Sequence, residues 1–282
     1  MSRATVALTG VGLHTGAPVS VTLRAWDGPT ILRVRGLAAR LDELAIASTA
    51  RATTVAAHDG LIRLSTVEHA FAALAGLGLH AGVEIEVDGP EMPLLDGGAA
   101  AWCSALAELD ARPSLPRLRV AVNATVAVQA SRYEFSIGEG IDLEACVDFD
   151  DRRIAPVARW TGDAQDFRER IAPARTFALA RDVAELERLT LARHVDPRAV
   201  VLIAPEAVYC SGGFSADEPA RHKLLDWMGD LYLHGGPPMG RVRAVRPGHT
   251  ANALAMAHAL SAGICVREEA RDAHPPGAPP SR

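Results

Sequence analysis

The chain has 282 residues, 49% of them hydrophobic, which is enough length for two domains and enough apolar material for a core in each. Its formal net charge of −5, with no basic stripe, argues against a nucleic-acid partner. Four scattered cysteines (Cys103, Cys146, Cys210, Cys265) form no C-x-x-C pair, which argues against a zinc knuckle or a disulfide framework and fits a reducing cytosol.

The opening stretch, "MSRATVALTGVGLHTG", does not read as a signal peptide, because Gly10 and Gly12 break its short apolar run. No apolar run reaches the roughly 18–20 residues of a membrane span, so a soluble, cytoplasmic protein is expected. "PVSVTLRAW" alternates Val19, Val21 and Leu23 with polar residues and predicts a strand, with "TILRVRG" as its partner after the Asp27-Gly28-Pro29 turn. "STVEHAFAALAGLG" opens with a capping-box spacing, Ser65 to Glu68, and predicts a helix ending near Gly76 or Gly78. "AGVEIEVD" predicts a strand with Val83, Ile85 and Val87 on one face, and a second helix is expected from Asp96 to about Leu109. "DARPSLPRLR" has no periodicity and suggests a domain boundary. Beyond it come strands in "VAVNATVAVQ", "YEFSIGEG" and "IDLEACVDF", a helix around "ARDVAELERL", a buried strand "AVVLIA", and a helix in "RHKLLDWMGDLY". A Pro-Gly loop, the strand "GRVRAVR" and a last helix "TANALAMAHALSAG" follow. The expected fold is α+β, two similar domains of sheet against helices: residues 1–114, residues 115–270, and a disordered tail at 271–282.

The helix "RHKLLDWMGDLY" raises the main question. His222, Asp226 and Asp230 recur every four residues and share one face, among Leu224, Leu225, Met228 and Leu231. A helix this apolar is buried, and a buried unpaired aspartate is costly. An imidazole and a carboxylate one turn apart can hold a divalent metal. In "STVEHA", Glu68 beside His69 offers a general base next to a third ligand, the arrangement of a hydrolytic zinc site. Glu68 reads equally well as the capping partner of Ser65, and His69 as a core histidine. His249, after Pro247-Gly248, reads either as a general acid on a loop or as a neighbour of a helix cap. Thr176 in "ARTFALARD" reads as an oxyanion donor or as an ordinary helix-start residue.

Taken together, "TGVGLHTG", "STVEHAFAALAGLG", "PEMPLLDGGAA", "ARTFALARD", "RHKLLDWMGDLY" and "GHTAN" resemble the UDP-3-O-acyl-N-acetylglucosamine deacetylase family, zinc amidases of the committed step of lipid A synthesis. The stretches follow the family's order over nearly the whole chain. The resemblance implies that His69, His222 and Asp226 hold Zn2+, that Glu68 is the general base, and that His249 is the acid, oriented by Asp230. It implies Thr176 as the oxyanion donor, and Lys223, Phe177 and Arg246 as residues at an acylated UDP-amino sugar. It also implies two α+β domains with the site between them, in a chain expected to be monomeric.

Two stretches depart from the family. The interval "LTLARHVDPRAVVLIA" places Arg193, His194, Val195 and Pro197 where the family has a small Gly-Gly-Ser stretch beside its acyl passage. This suggests a shorter acyl chain, or none. The segment 45–62 is Ala-rich and reads as an abbreviated insert. Two other readings remain: a paralogue deacetylating another N-acetylated amino sugar, and a binding or regulatory protein that keeps the fold. The second predicts a broken metal site.

Overall fold

A computed structural model describes residues 4–114, 116–179 and 196–268. The helix expected at 180–189, the residues Arg193, His194 and Val195, and the tail expected at 271–282 lie outside the described residues.

The first half contains strands β1 (Thr5–Val11), β2 (Pro18–Pro29), β3 (Ile31–Val34), β4 (Leu37–Arg40), β5 (Ala45–Ser48), β6 (Thr54–Ala57), β7 (Ile62–Leu64) and β8 (Ala81–Asp88). β1 to β4 and β8 form one sheet in the order β1-β2-β8-β3-β4. Alternation decides its faces: Val19, Val21, Leu23, Val83, Ile85 and Val87 are buried. On the other face Arg24 pairs with Glu86 at 2.6 Å and Arg33 with Glu84 at 2.8 Å across strands. β3 is not the partner of β2 that the intervening turn suggested. β2 runs through that turn to Pro29, and β8 inserts between the two, antiparallel to β2 and parallel to β3. The apolar β8 takes the central place because there both of its edges are paired and its Val and Ile side chains meet the core.

The second half repeats this plan. Its strands are β9 (Leu118–Val120), β10 (Ala124–Val128), β11 (Ser131–Ser136), β12 (Ile141–Cys146), β13 (Val157–Trp160), β14 (Thr176–Leu179), β15 (Val200–Ile203), β16 (Val208–Tyr209), β17 (Gly240–Val245) and β18 (Cys265–Arg267). The main sheet runs β10-β11-β17-β12-β13. β17 is antiparallel to β11 and parallel to β12, as β8 is to β2 and β3. In each half two hairpins flank a strand that arrives later in the chain. A helix precedes that strand and another follows it: Glu68–Gly76 and Ala100–Ala107 around β8, Glu218–Tyr232 and His249–Ser261 around β17. The α+β class with two similar units is therefore written in the topology. No helix among the described residues is long and apolar enough to cross a membrane.

Several local expectations change. "VAVNATVAVQ" is two strands, because β9 pairs with β18 and β10 with β11. The second helix begins at Ala100 rather than Asp96, whose Oδ2 accepts the N–H groups of Ala100 and Ala101 at 3.2 and 3.4 Å. Thr176 starts a strand, not a helix: β14 pairs in parallel with β15.

The helices Glu68–Gly76 and Glu218–Tyr232 pack against each other. Every residue of the first is buried. Gly229 permits the contact: a Cβ there would sit 2.0 Å from the Glu68 carbonyl oxygen. The crossing brings Glu68-His69 from one half opposite His222, Asp226 and Asp230 from the other.

Candidate active site

His69, His222 and Asp226 are all buried and each presents one ligand atom, the three lying within 4.8 Å of one another. Oδ1 of Asp226 is 3.6 Å from Nε2 of His69 and 3.4 Å from Nε2 of His222. The two imidazoles stand edge to face, 5.1 Å between centroids. Nδ1 of His222 lies 3.0 Å from the Ala174 carbonyl, which takes its proton and leaves the Nε2 lone pair facing the cluster. The loop of Gly98 packs tightly behind that carbonyl: a Cβ at Gly98 would lie 2.8 Å from the Ala174 oxygen. Lys223 Nζ donates to the other oxygen of Asp226 at 2.8 Å, leaving Oδ1 as the inward atom.

Burial pulls the His222 pKa down to about 4, against the opposing charge of Asp226, so this imidazole is neutral. Burial works to raise Asp226, but the Lys223 ammonium and a hydrogen bond from His69 outweigh it and hold the carboxyl well below the usual range. His69 is raised: burial lowers it, and hydrogen bonding and charge from Asp226 more than offset that. Two imidazole nitrogens and one ionised carboxylate oxygen, converging from three buried side chains, fit the donor set of a catalytic zinc site. The same donor set takes other first-row divalent metals.

Glu68 does not cap its helix. The residue before the helix is Val67, and the Ser65 hydroxyl pairs with Thr54 Oγ1 at 2.9 Å. The helix is instead entered through Thr66, whose φ of +58° is unusual for a β-branched residue. Its hydroxyl donates to Oε2 of Glu91 at 3.1 Å, and Oε1 of Glu91 accepts the N–H and hydroxyl of Thr15 at 2.8 and 2.7 Å. This buried carboxylate ties the 12–15 turn to the start of the helix. Glu68 is thereby free to turn inward, where Oε2 accepts the Thr53 N–H at 3.0 Å. Burial raises its pKa, with His249 opposing.

His249 opens its helix at the end of a loop. Nδ1 lies 3.0 Å from Oδ2 of Asp230, and Nε2 lies 3.9 Å from Oε1 of Glu68. Burial alone would lower its pKa, but Asp230 and then Glu68 push it up to about 10, so it carries a proton at neutral pH. Asp230 Oδ2 also accepts from Asn252 Nδ2 at 2.7 Å, and Oδ1 accepts the Thr53 hydroxyl at 2.6 Å. The Tyr133 hydroxyl completes the chain on Asn252 Oδ1 at 2.5 Å.

The structure thus gathers Glu68, His69, His222, Lys223, Asp226, Asp230 and His249. Phe177 stands beside them, its ring 6.0 Å from that of His222 and 5.7 Å from Lys223 Nζ. Thr176 precedes it on β14, its N–H donating to the Gly97 carbonyl at 2.7 Å. Arg246 is exposed, with a φ of +54° and an ion pair to Asp148 at 3.5 Å. Thr53, Asn252, Tyr133 and Glu91 went unread in the sequence. Asn252 lies in the quoted "GHTAN", one helical turn after His249, which was the available signal; Thr53 had none.

The family described as UDP-3-O-acyl N-acetylglycosamine deacetylase matches residues 3–262. A UDP-3-O-acyl-N-acetylglucosamine deacetylase of Myxococcus xanthus is 35% identical over 282 aligned positions, covering 92% of this chain and 85% of that protein. Proteins of the same name from Anaeromyxobacter sp. and Sodalis glossinidius are each 34% identical; they cover 93% and 94% of this chain, and 88% and 89% of their own lengths are matched.

Proposed function

The chain belongs to the UDP-3-O-acyl N-acetylglycosamine deacetylase family, and from this we propose that it hydrolyses the acetamide of a UDP-3-O-acyl-N-acetylglucosamine, releasing acetate and the free amine for lipid A biosynthesis. The observation that supports the chemistry best is the convergence of a three-ligand metal group with a buried carboxylate and a protonated imidazole.

His69, His222 and Asp226 would hold a zinc ion, which when bound would supply a Lewis acid and make water nucleophilic at neutral pH. Glu68 takes the proton of the attacking water. Oε1 is the accepting atom, since Oε2 is engaged by the Thr53 N–H. The new C–O bond makes the acetamide carbon tetrahedral, and the Thr176 hydroxyl donates to its oxygen. His249 gives the Nε2 proton to the departing sugar nitrogen as the C–N bond breaks. Its Nδ1 cannot, being held by Asp230. Lys223 and Phe177 line the substrate, and the Arg246 guanidinium binds phosphate at the nucleotide end. The enzyme works in the cytoplasm as a monomer of two domains, residues 1–114 and 115–270, with the site between them.

A side-by-side assay tests this reading. Zinc-loaded protein is offered UDP-3-O-(hydroxyacyl)-N-acetylglucosamine and the unacylated sugar nucleotide, and acetate is measured. Faster release from the acylated compound is the expected result. Equal or faster release from the unacylated one would move the acceptor to a different amino sugar.

A further inference from the structure

The short Ala-rich segment before the first helix delivers one buried side chain to the catalytic centre. Thr53 is 1% exposed. Its N–H donates to Oε2 of Glu68 at 3.0 Å, its hydroxyl donates to Oδ1 of Asp230 at 2.6 Å, and that hydroxyl lies 3.3 Å from Nδ1 of His249. One residue therefore touches both the group placed to take a proton and the pair placed to give one. We propose that Thr53 is a positioning residue that fixes the spacing between Glu68 and His249 and locks the Asp230 carboxylate in its working orientation. This rests on the deacetylase reading above.

Oδ2 of Asp230 holds His249 Nδ1 at 3.0 Å and Asn252, and Oδ1 holds the Thr53 hydroxyl at 2.6 Å with the same Nδ1 of His249 at a longer 3.2 Å. A carboxylate with donors on both oxygens cannot turn about its Cβ–Cγ bond without breaking one of them. The Nδ1 side of His249 then meets a fixed acceptor, and Nε2 stays aimed toward Glu68 Oε1. Without the hydroxyl, Oδ1 of a buried carboxylate loses its shortest donor and keeps only the 3.2 Å contact with His249 Nδ1, so the imidazole is drawn off Oδ2 toward Oδ1. The backbone contact to Glu68 survives any side-chain change at 53. The loss therefore falls on the acid side of the reaction, and neither metal binding nor substrate binding is touched.

The test uses the full chain, zinc-loaded, with Thr53→Val, Thr53→Ala and Thr53→Ser, assayed on UDP-3-O-acyl-N-acetylglucosamine with zinc content measured in parallel. Thr53→Val should lower kcat about 10–100-fold, the scale of one hydrogen bond to a charged group, with KM and zinc content unchanged. Thr53→Ser should restore kcat to near the parent value. Should the valine variant fail to fold, Thr53→Ala, which adds no methyl, must show the same kcat loss. Parent-like kcat per zinc-loaded site in the valine or alanine variant, or no rescue by serine, would overturn the proposal. No turnover by the unsubstituted chain would overturn the deacetylase reading itself, and this inference with it.

Discussion

Nε2 of His249 lies 3.9 Å from Oε1 of Glu68, although 181 positions of sequence separate them and they belong to opposite halves of the chain. Each sits at the first position of a helix, one preceding the inserted strand β8 and the other following β17. Glu68 is buried and the His249 side chain is 10% exposed, and under the proposed function they are the base and the acid beside the His69–His222–Asp226 group.

Glu68→Gln keeps the shape of the side chain and removes its basicity. Turnover should fall by about 10²–10⁴-fold, the usual contribution of a positioned proton-transfer group, while zinc content stays at the parent level. Steady-state kinetics with metal analysis on the same sample measures this. Full activity in the variant would return Glu68 to a structural role.

The His249 pKa sets the alkaline side of the pH profile. Because Asp230 and Glu68 push it up to about 10, His249 stays protonated through neutrality, and kcat/KM should fall only as pH rises toward that value. Asp230→Asn removes the main counter-charge, so the proton leaves at lower pH. The alkaline limb then moves toward the ordinary histidine value near 6.5. The profiles of parent and variant should therefore separate on the alkaline side. An alkaline limb that does not move would take His249 out of the acid role.

Gly229→Ala reverses the usual sign of a glycine-to-alanine change in a helix. In an exposed helix interior alanine gains about 1 kcal/mol. Here the added Cβ would meet the Glu68 carbonyl at 2.0 Å, so the two helices must separate. The expected cost is about 1–3 kcal/mol, as for overpacked cores, together with weakened zinc retention. Denaturant midpoints and metal content read both effects. A stabilised variant with full zinc would contradict the crossing described above.

The polar face of the 218–232 helix was legible because its spacing is a property of the helix alone. His222, Asp226 and Asp230 share a face whatever the rest of the chain does, and the apolar residues between them announce burial. The strands around Val19–Leu23 and Val83–Val87 were legible for the same local reason. What could not be read was everything fixed by long-range pairing. The central place of β8 depends on a strand some fifty residues away in sequence from the hairpin it joins. The role of Thr53 depends on Asp230, and the freedom of Glu68 depends on Thr66 adopting a φ of +58° under the pull of Glu91. The capping-box reading of Ser65 and Glu68 was locally sound; it lost to the hydrogen bonds that Thr54 and Thr53 offer those two side chains. Thr176 looked helical because a strand of four residues has no period to display until β15 pairs with it.

Under the proposed function, deacetylation requires a metal held by His69, His222 and Asp226. The most direct measurement is to strip the protein with a chelator, return Zn2+ in steps, and follow acetate release from UDP-3-O-acyl-N-acetylglucosamine. Activity should be lost on stripping and recover linearly to a plateau at about one zinc per chain, as a single catalytic site with three protein ligands requires; the Asp226→Ala protein should show neither the retention nor the recovery. Full activity in the metal-free protein, or undiminished activity in Asp226→Ala, would contradict the account.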